Sequence, residues 1–127
     1  MKIFVCYDGS READAAIEEA ARFAGRFGGT VTVATSIRAE EGPDAAPART
    51  GLERAKALLE RAGVPCQARL LARGLYPGED LVLCASEEQS DLVVVGVKNR
   101  SKLGKLVLGS VTQYVMLNAR CPVLGVK

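Results

Sequence analysis

The sequence predicts an α/β fold, a three-layer sandwich in which helices cover both faces of a parallel β-sheet. Short apolar segments alternate with helical patterns along the chain, and this alternation is typical of parallel sheets. The run Val93-Val94-Val95 has the continuous apolar character of a strand that is buried on both faces. The 127 residues, of which 48% are hydrophobic, suffice for one core and predict a single domain over residues 1–127.

Five strands are predicted from apolar runs that are bounded by polar or turn-forming residues. They cover residues 3–7, 30–36, 65–71, 92–95 and 122–126. Because helical patterns lie between them, we expect right-handed crossover connections.

About four helices are predicted between these strands. The first has apolar residues at helical spacing from Ala13 onward, with Ser10 placed as its N-cap. The second carries an apolar stripe in which Thr50 and Glu53 have the spacing of a capping box, and Gly63 marks its end.

The third helix is predicted to begin near Pro77 and Gly78, and the fourth carries Val111, Tyr114 and Val115. Residues 38–49 are rich in Ala, Pro, Gly and Glu and show no clear period. We therefore expect a mobile loop over residues 38–49.

Charge is unevenly distributed although the net charge is only +2. Asp91 is the last acidic residue, and every charged side chain after it is basic. This distribution suits either an anionic ligand or a solvated basic face. No aromatic residues are interleaved with these charges, so a nucleic-acid partner is not expected. No stretch approaches the roughly 20 apolar residues of a membrane span, and nothing resembles a signal peptide. We expect a cytoplasmic protein without a membrane partner.

The four cysteines are far apart, and the chain has no histidine. Thiolate-only zinc sites use close cysteine pairs, so no metal site is predicted. Disulfides fit poorly with a cytosolic chain. We expect buried, small, apolar side chains at Cys6, Cys66, Cys84 and Cys121.

Two turns follow strands at the carboxyl edge of the sheet, where open α/β folds bind ligands. The first is Asp8-Gly9-Ser10. The Asp8 carboxylate is able to accept hydrogen bonds from a base or a ribose. It is equally suited to a local turn that caps the backbone amides near Ser10.

The second turn begins at Gly96 and ends at Gly109 and Ser110, which open the fourth helix. Glycines let the backbone approach a phosphate, and the amides at a helix N-terminus point toward anions. The spacing matches neither the Walker A pattern nor the dinucleotide fingerprint. Glycines at such turns also serve purely structural purposes, so a phosphate site and a structural turn both remain open from the residues alone.

Four motifs in order along nearly the whole chain resemble the universal stress protein family. They are Asp8-Gly9-Ser10, the segment from Asp91 to Gly96, Leu108-Gly109-Ser110-Val111 and Cys121-Pro122-Val123-Leu124. The resemblance implies a Rossmann-like fold, similar to adenine nucleotide α-hydrolases, with strand order 3-2-1-4-5. It also implies a homodimer. The last strand, which begins at Pro122 and ends at Val126, would be an edge strand in this order, and pairing with a second copy would cover that edge.

The resemblance further implies binding of ATP or AMP, with Mg²⁺ accompanying ATP, and a regulatory role in stress response. ATP-binding members carry the loop G-x2-G-x9-G-[ST], and this chain departs from it once, at the second glycine. Asp8 matches the family acid near the adenosine, and Ser36 matches a position that borders the adenine. The predicted ligand-binding residues are Asp8, Ser36, Gly96, Lys98, Asn99, Gly109, Ser110 and Val111.

Four other functions compete with nucleotide binding. An enzyme is disfavoured because no nucleophile elbow or water-orienting group is evident, although slow ATP hydrolysis or autophosphorylation at Ser110 or Ser101 stays open. A receiver domain would need an acidic cluster after the first strand, and a flavodoxin-like module would need aromatic residues around a flavin. The main alternative is a dimeric interaction module that does not bind nucleotide.

Overall fold

The computed structural model describes residues 1–98 and 108–127. Within them, five parallel strands form one sheet in the order β3-β2-β1-β4-β5, as the resemblance implied. The strands are β1 (Lys2–Cys6), β2 (Thr30–Ser36), β3 (Cys66–Leu71), β4 (Leu92–Gly96) and β5 (Val123–Val126). The helices are α1 (Arg11–Phe27), α2 (Ala45–Arg61), α3 (Pro77–Glu87) and α4 (Ser110–Asn118).

The central strand β1 shows why the fold has three layers. Its side chains alternate between the two faces of the sheet. Ile3 and Val5 pack in a core cluster with residues of α1 and α2. Phe4 and Cys6 pack in a second cluster with residues of α3 and α4. The predicted three-layer sandwich is therefore confirmed.

Helix α1 begins where the sequence indicates and ends at a glycine. The Ser10 hydroxyl accepts a hydrogen bond of 3.1 Å from the backbone amide of Ala13, which confirms the predicted N-cap. Gly28 ends the helix with a φ of 69°, a left-handed conformation that favours glycine. The amide of Gly28 donates to the carbonyl of Ala24.

The prediction for the start of α2 was wrong. The helix begins at Ala45, so Thr50 lies inside it and forms no capping box with Glu53, and residues 45–49 are helix rather than loop. Pro47 falls in the first turn, where a helix needs no amide donor, so proline is tolerated there. Ala45 is buried against the core. This contact holds the start of the helix, although the segment shows no apolar periodicity. The end of the helix was predicted correctly. The helix ends at Arg61, and Gly63 follows with a φ of 74°, a left-handed conformation in which the helix cannot continue.

The connections after β1 and β4 open a crevice at the carboxyl edge of the sheet. β1 pairs with both β2 and β4. The chain leaves β1 for α1 on one face and enters α4 on the other face after β4. Neighbouring strands whose connections diverge in this way form the ligand-binding crevice of open α/β sheets.

The cysteines follow the prediction in part. Cys6 and Cys84 are buried, whereas Cys66 and Cys121 are half-buried. Burial raises the pKa of the Cys6 and Cys84 thiols to about 12, so both thiols are neutral at neutral pH. Among residues 1–98 and 108–127, no helix has the length and apolar character needed to cross a membrane.

Candidate functional site

A cavity of about 110 Å³ lies at the carboxyl ends of β1, β2 and β4. Its walls are partly apolar, with Leu81 of α3 and Val95 of β4 among them. The remaining lining comes from the strand ends and the helix starts that surround the crevice. The lining includes Cys6, Tyr7, Asp8, Ala13, Thr35, Ser36, Pro77, Gly96, Val111 and Thr112.

A second pocket of about 250 Å³ lies beside the first, at the N-terminus of α4. The two share Asp8, Gly96, Val111 and Thr112, so they form one continuous groove. The second pocket adds three residues to the shared ones: Lys98, Gly109 and Ser110. We call the first the inner cavity and the second the helix pocket.

Asp8 lines both pockets. Its carboxylate caps the backbone near Ser10, which is one of the two roles predicted for it. One carboxylate oxygen accepts a hydrogen bond of 3.0 Å from the backbone amide of Ser10. The other accepts one of 2.8 Å from the Nζ of Lys98. Partial burial raises the pKa of the Asp8 carboxyl, but the bonds from Lys98 and Ser10 outweigh burial and hold that pKa below its usual range. The side chain remains 57% exposed and is accessible from the groove.

Gly96 has a packing reason to be glycine. A Cβ at this position would lie 2.6 Å from the carbonyl carbon of Glu12 and 2.7 Å from the backbone nitrogen of Ala13. The first turn of α1 therefore crosses β4 at a point where no side chain fits. The structural interpretation of this glycine is confirmed, whatever else the residue contacts.

Gly109 has no such reason. Its φ is −64°, which any residue adopts, and a Cβ there would meet nothing within 4 Å. The position opens onto the helix pocket. Neither backbone strain nor packing in the described residues explains why a glycine stands here.

The N-terminus of α4 offers backbone donors to the helix pocket. The N-cap is Gly109, which has no side chain to cap the helix, and the first turn carries no acidic residue. The first helical hydrogen bond joins the amide of Gln113 to the carbonyl of Gly109. The amides of Ser110, Val111 and Thr112 precede that bond, and a helix start of this kind is suited to bind an anion.

Sequence reasoning missed several polar residues of the inner cavity. Thr35 and Thr112 donate to the carbonyls of Tyr7 and Gly96 at 2.8 and 3.3 Å. Each missed threonine lies within two residues of a predicted site residue, but a single sequence does not show which way its hydroxyl faces. Of the predicted site residues, Asp8, Ser36, Gly96, Lys98, Gly109, Ser110 and Val111 line the groove, and Asn99 lies outside the described residues.

The family of the chain follows from its similarity to known proteins. The sequence model of the universal stress protein family matches residues 1–127. The chain belongs to the universal stress protein family. A universal stress protein of Mycolicibacterium smegmatis is 32% identical over 98% of this chain and 96% of its own length. A universal stress protein of Thermus aquaticus is 35% identical over 98% of this chain and 97% of its own length.

Solved universal stress proteins share the whole fold. One from Archaeoglobus fulgidus superposes with a TM-score of 0.91 at 32% identity, covering 100% of this chain and 98% of that one. A universal stress protein of the same organism, in complex with dAMP, gives 0.84 at 27% identity, with 100% and 98% covered. A further universal stress protein, in complex with cAMP, gives 0.81 at 28% identity, with 99% and 95% covered. Structural relatives of this chain therefore bind adenine nucleotides.

Proposed function

We propose that this chain binds an adenine nucleotide, ATP or AMP, in the groove formed by the inner cavity and the helix pocket, and that occupancy regulates its role in stress response. The observation that carries the proposal is the continuity of the groove. A cavity with apolar walls and hydroxyl groups opens directly into a pocket lined by the first backbone amides of α4 and by a lysine. These two environments match the two halves of a nucleotide.

The base would lie against Leu81 and Val95, and the phosphates would lie at the N-terminus of α4. Asp8, between the two pockets, would accept hydrogen bonds from the ribose hydroxyls. Lys98 lies beside the helix pocket and would supply positive charge to the phosphates. ATP would bring Mg²⁺ on its own phosphate oxygens. The dAMP and cAMP complexes of the relatives support this ligand class.

Nucleotide occupancy would act by shifting a population. A ligand favours whichever conformation it binds more tightly, so occupancy changes which surface the protein offers to a partner.

Thermal unfolding tests the proposal on the intact chain. A ligand that binds only the folded state stabilises it by about 1.4 kcal/mol at ten times its Kd. We expect several millimolar ATP or AMP to raise Tm by a few degrees. The same concentration of inorganic phosphate should raise it much less, because it fills only the helix pocket. Equal shifts with phosphate and nucleotide, or no shift with either nucleotide, would contradict the proposal.

Asn99 stands where ATP-binding members carry glycine, so we expect Asn99→Gly to tighten ATP binding. In the family that glycine lies against the phosphates, and asparagine has a larger side chain than glycine. Titration calorimetry of ATP into both proteins measures the difference. An unchanged or weaker affinity in the variant would show that Asn99 does not obstruct the ligand.

We also propose a homodimer through β5. This strand is at an edge of the sheet. Two apolar side chains of α4 are exposed: Met116 by 43% and Leu117 by 75%. The Met116 methyl group lies 4.0 Å from the Cβ position of Gly125 in β5, so the apolar helix surface continues onto the edge strand. Pairing two copies there would cover both the edge and this surface.

Light scattering at micromolar concentration should give the mass of a dimer. Met116→Lys should reduce that mass to a monomer, because pairing of the edge strands would bury a lysine beside β5 in each copy. Leu83→Lys is the matched control, since Leu83 is an exposed leucine of α3, 44% accessible. A monomeric mass for the unmodified chain would contradict the proposal.

A further inference from the structure

All four hydroxyl-bearing side chains of the inner cavity donate their protons to the protein. The Tyr7 hydroxyl donates to Asp14 at 2.6 Å, outside the cavity. Thr35 and Thr112 donate to backbone carbonyls at the ends of β1 and β4. Ser36 donates to Asp80 at 3.1 Å. Tyr7 also accepts from Arg54 at 2.8 Å, so its hydroxyl is fully engaged outside the cavity. The hydroxyl oxygens of Thr35, Ser36 and Thr112 are therefore left as acceptors, and the carboxylate of Asp8 adds further acceptors.

The bond from Ser36 has the best-defined direction of the four. Asp80, in the first turn of α3, is fully buried and is the acceptor for both Ser36 and Arg73. Its other oxygen accepts a hydrogen bond of 2.6 Å from the Nε of Arg73 in a salt bridge, and the Arg73 Nη2 donates to the Asp80 carbonyl at 3.2 Å. A carboxylate held in this way has only acceptor atoms. The shared proton of the pair therefore belongs to Ser36.

We infer that the Ser36–Asp80–Arg73 relay makes the inner cavity select 6-aminopurines over 6-oxopurines. This inference rests on the proposed function, with the base held in the inner cavity. Ser36 can accept a hydrogen bond from the exocyclic amine of adenine. It cannot donate to the 6-oxo group of hypoxanthine or guanine without withdrawing its proton from Asp80.

The cost of withdrawing that proton sets the size of the selectivity. Asp80 would be left with a buried oxygen that has no donor, which is expensive in a site that excludes water. A penalty of this kind corresponds to a preference of about tenfold for the 6-amino over the 6-oxo nucleotide. Asp80 and Arg73 are positioning residues, because they act on the base only through the Ser36 hydroxyl.

The test compares the dissociation constants of ATP and ITP by calorimetry on the full chain and three variants. These two nucleotides have the same ribose and phosphates and differ at the 6 position and N1 of the base. The unmodified protein should bind ATP about tenfold more tightly than ITP. Ser36→Ala should bring the ratio close to one, mainly by weakening ATP, because the oriented acceptor is gone.

Asp80→Asn should shift the ratio toward ITP. The Asn oxygen would keep the bond from the Nε of Arg73, so its amide nitrogen would face Ser36 and donate to it. The Ser36 proton would then point into the cavity and match a 6-oxo group. A general loosening of the fold would weaken both nucleotides alike and leave the ratio unchanged. Thr30→Ala, at the opposite end of β2, is the control and should keep the full preference.

The outcomes separate this inference from the proposed function. If neither nucleotide binds the unmodified protein, the proposed function itself fails. If ATP and ITP bind equally well, nucleotide binding stands and the selectivity is refuted. If ATP is preferred but Ser36→Ala keeps the same ratio, the preference arises elsewhere and the relay is refuted. Ser36→Ala decides the matter even where Asp80→Asn does not fold, because it removes one hydrogen bond and leaves the Asp80–Arg73 salt bridge in place.

Discussion

Gly109→Asp is expected to abolish measurable nucleotide binding while leaving the fold at least as stable as before. Gly109 is the N-cap of α4, with φ −64° and ψ 160°, the conformation in which Asp caps a helix well. A carboxylate there would accept from the amides of the first turn and interact favourably with the helix dipole, which together amount to about 0.5 kcal/mol. The same carboxylate would occupy the place proposed for the phosphates and repel them.

Opposite signs for stability and binding make this substitution informative. Urea unfolding should show an unchanged or slightly raised free energy of unfolding. Calorimetry should show no measurable ATP binding, because repulsion between the carboxylate and the phosphates lowers the affinity by at least about tenfold. Gly109→Asn is the matched control, because Asn caps a helix as well as Asp but carries no charge. The Asn variant should retain more affinity than the Asp variant. Full ATP affinity in Gly109→Asp would place the phosphates elsewhere.

Gly96→Ala is expected to destabilise the fold by about 3 kcal/mol or more. The added methyl group would lie 2.6 Å from a backbone carbon of Glu12, and backbone has no rotamer by which to move away. Relief would require α1 to shift off β4, which would disturb the contacts that α1 makes with the core cluster of Ile3 and Val5. The measurement is the midpoint and slope of urea unfolding.

Gly25→Ala is the matched control for this substitution. Gly25 lies in α1, and a Cβ there would meet nothing within 4 Å. Alanine should therefore stabilise the helix by up to about 1 kcal/mol, the ordinary difference between the two residues in a helix. A Gly96→Ala variant as stable as the parent would show that α1 packs against β4 less closely than the structure indicates.

The fold was largely predictable because its signals are local and repeated. Apolar runs located all five strands to within about a residue, and Ser10 and Gly63 marked helix boundaries correctly. The strand order could not be predicted from such local signals, and only the resemblance to a family supplied it. The start of α2 was missed because it depends on the burial of Ala45 against the core. A segment of Ala, Pro and Gly shows no clear apolar periodicity that would reveal such burial.

The position of the site was predictable from the sequence, whereas its packing contacts and hydrogen-bond directions were not. The end of β1 and the start of α4 were both found, and the structure brings them to one groove. The sequence did not show that Gly96 is required by α1, because that contact joins two segments far apart along the chain. Nor did it show that Asp80, distant in sequence from Ser36, determines the direction of the Ser36 hydroxyl. Such hydrogen-bond directions depend on the folded arrangement.

The central claim is that the groove binds an adenine nucleotide, and titration of ATP with Mg²⁺ into the intact chain tests it most directly. Calorimetry at nucleotide concentrations up to the millimolar range should give a saturable isotherm for the parent protein, and Gly109→Asp should remove it. Heats no larger than those of dilution for the parent protein across that range would contradict the claim, and the chain would then be a family member that acts without nucleotide.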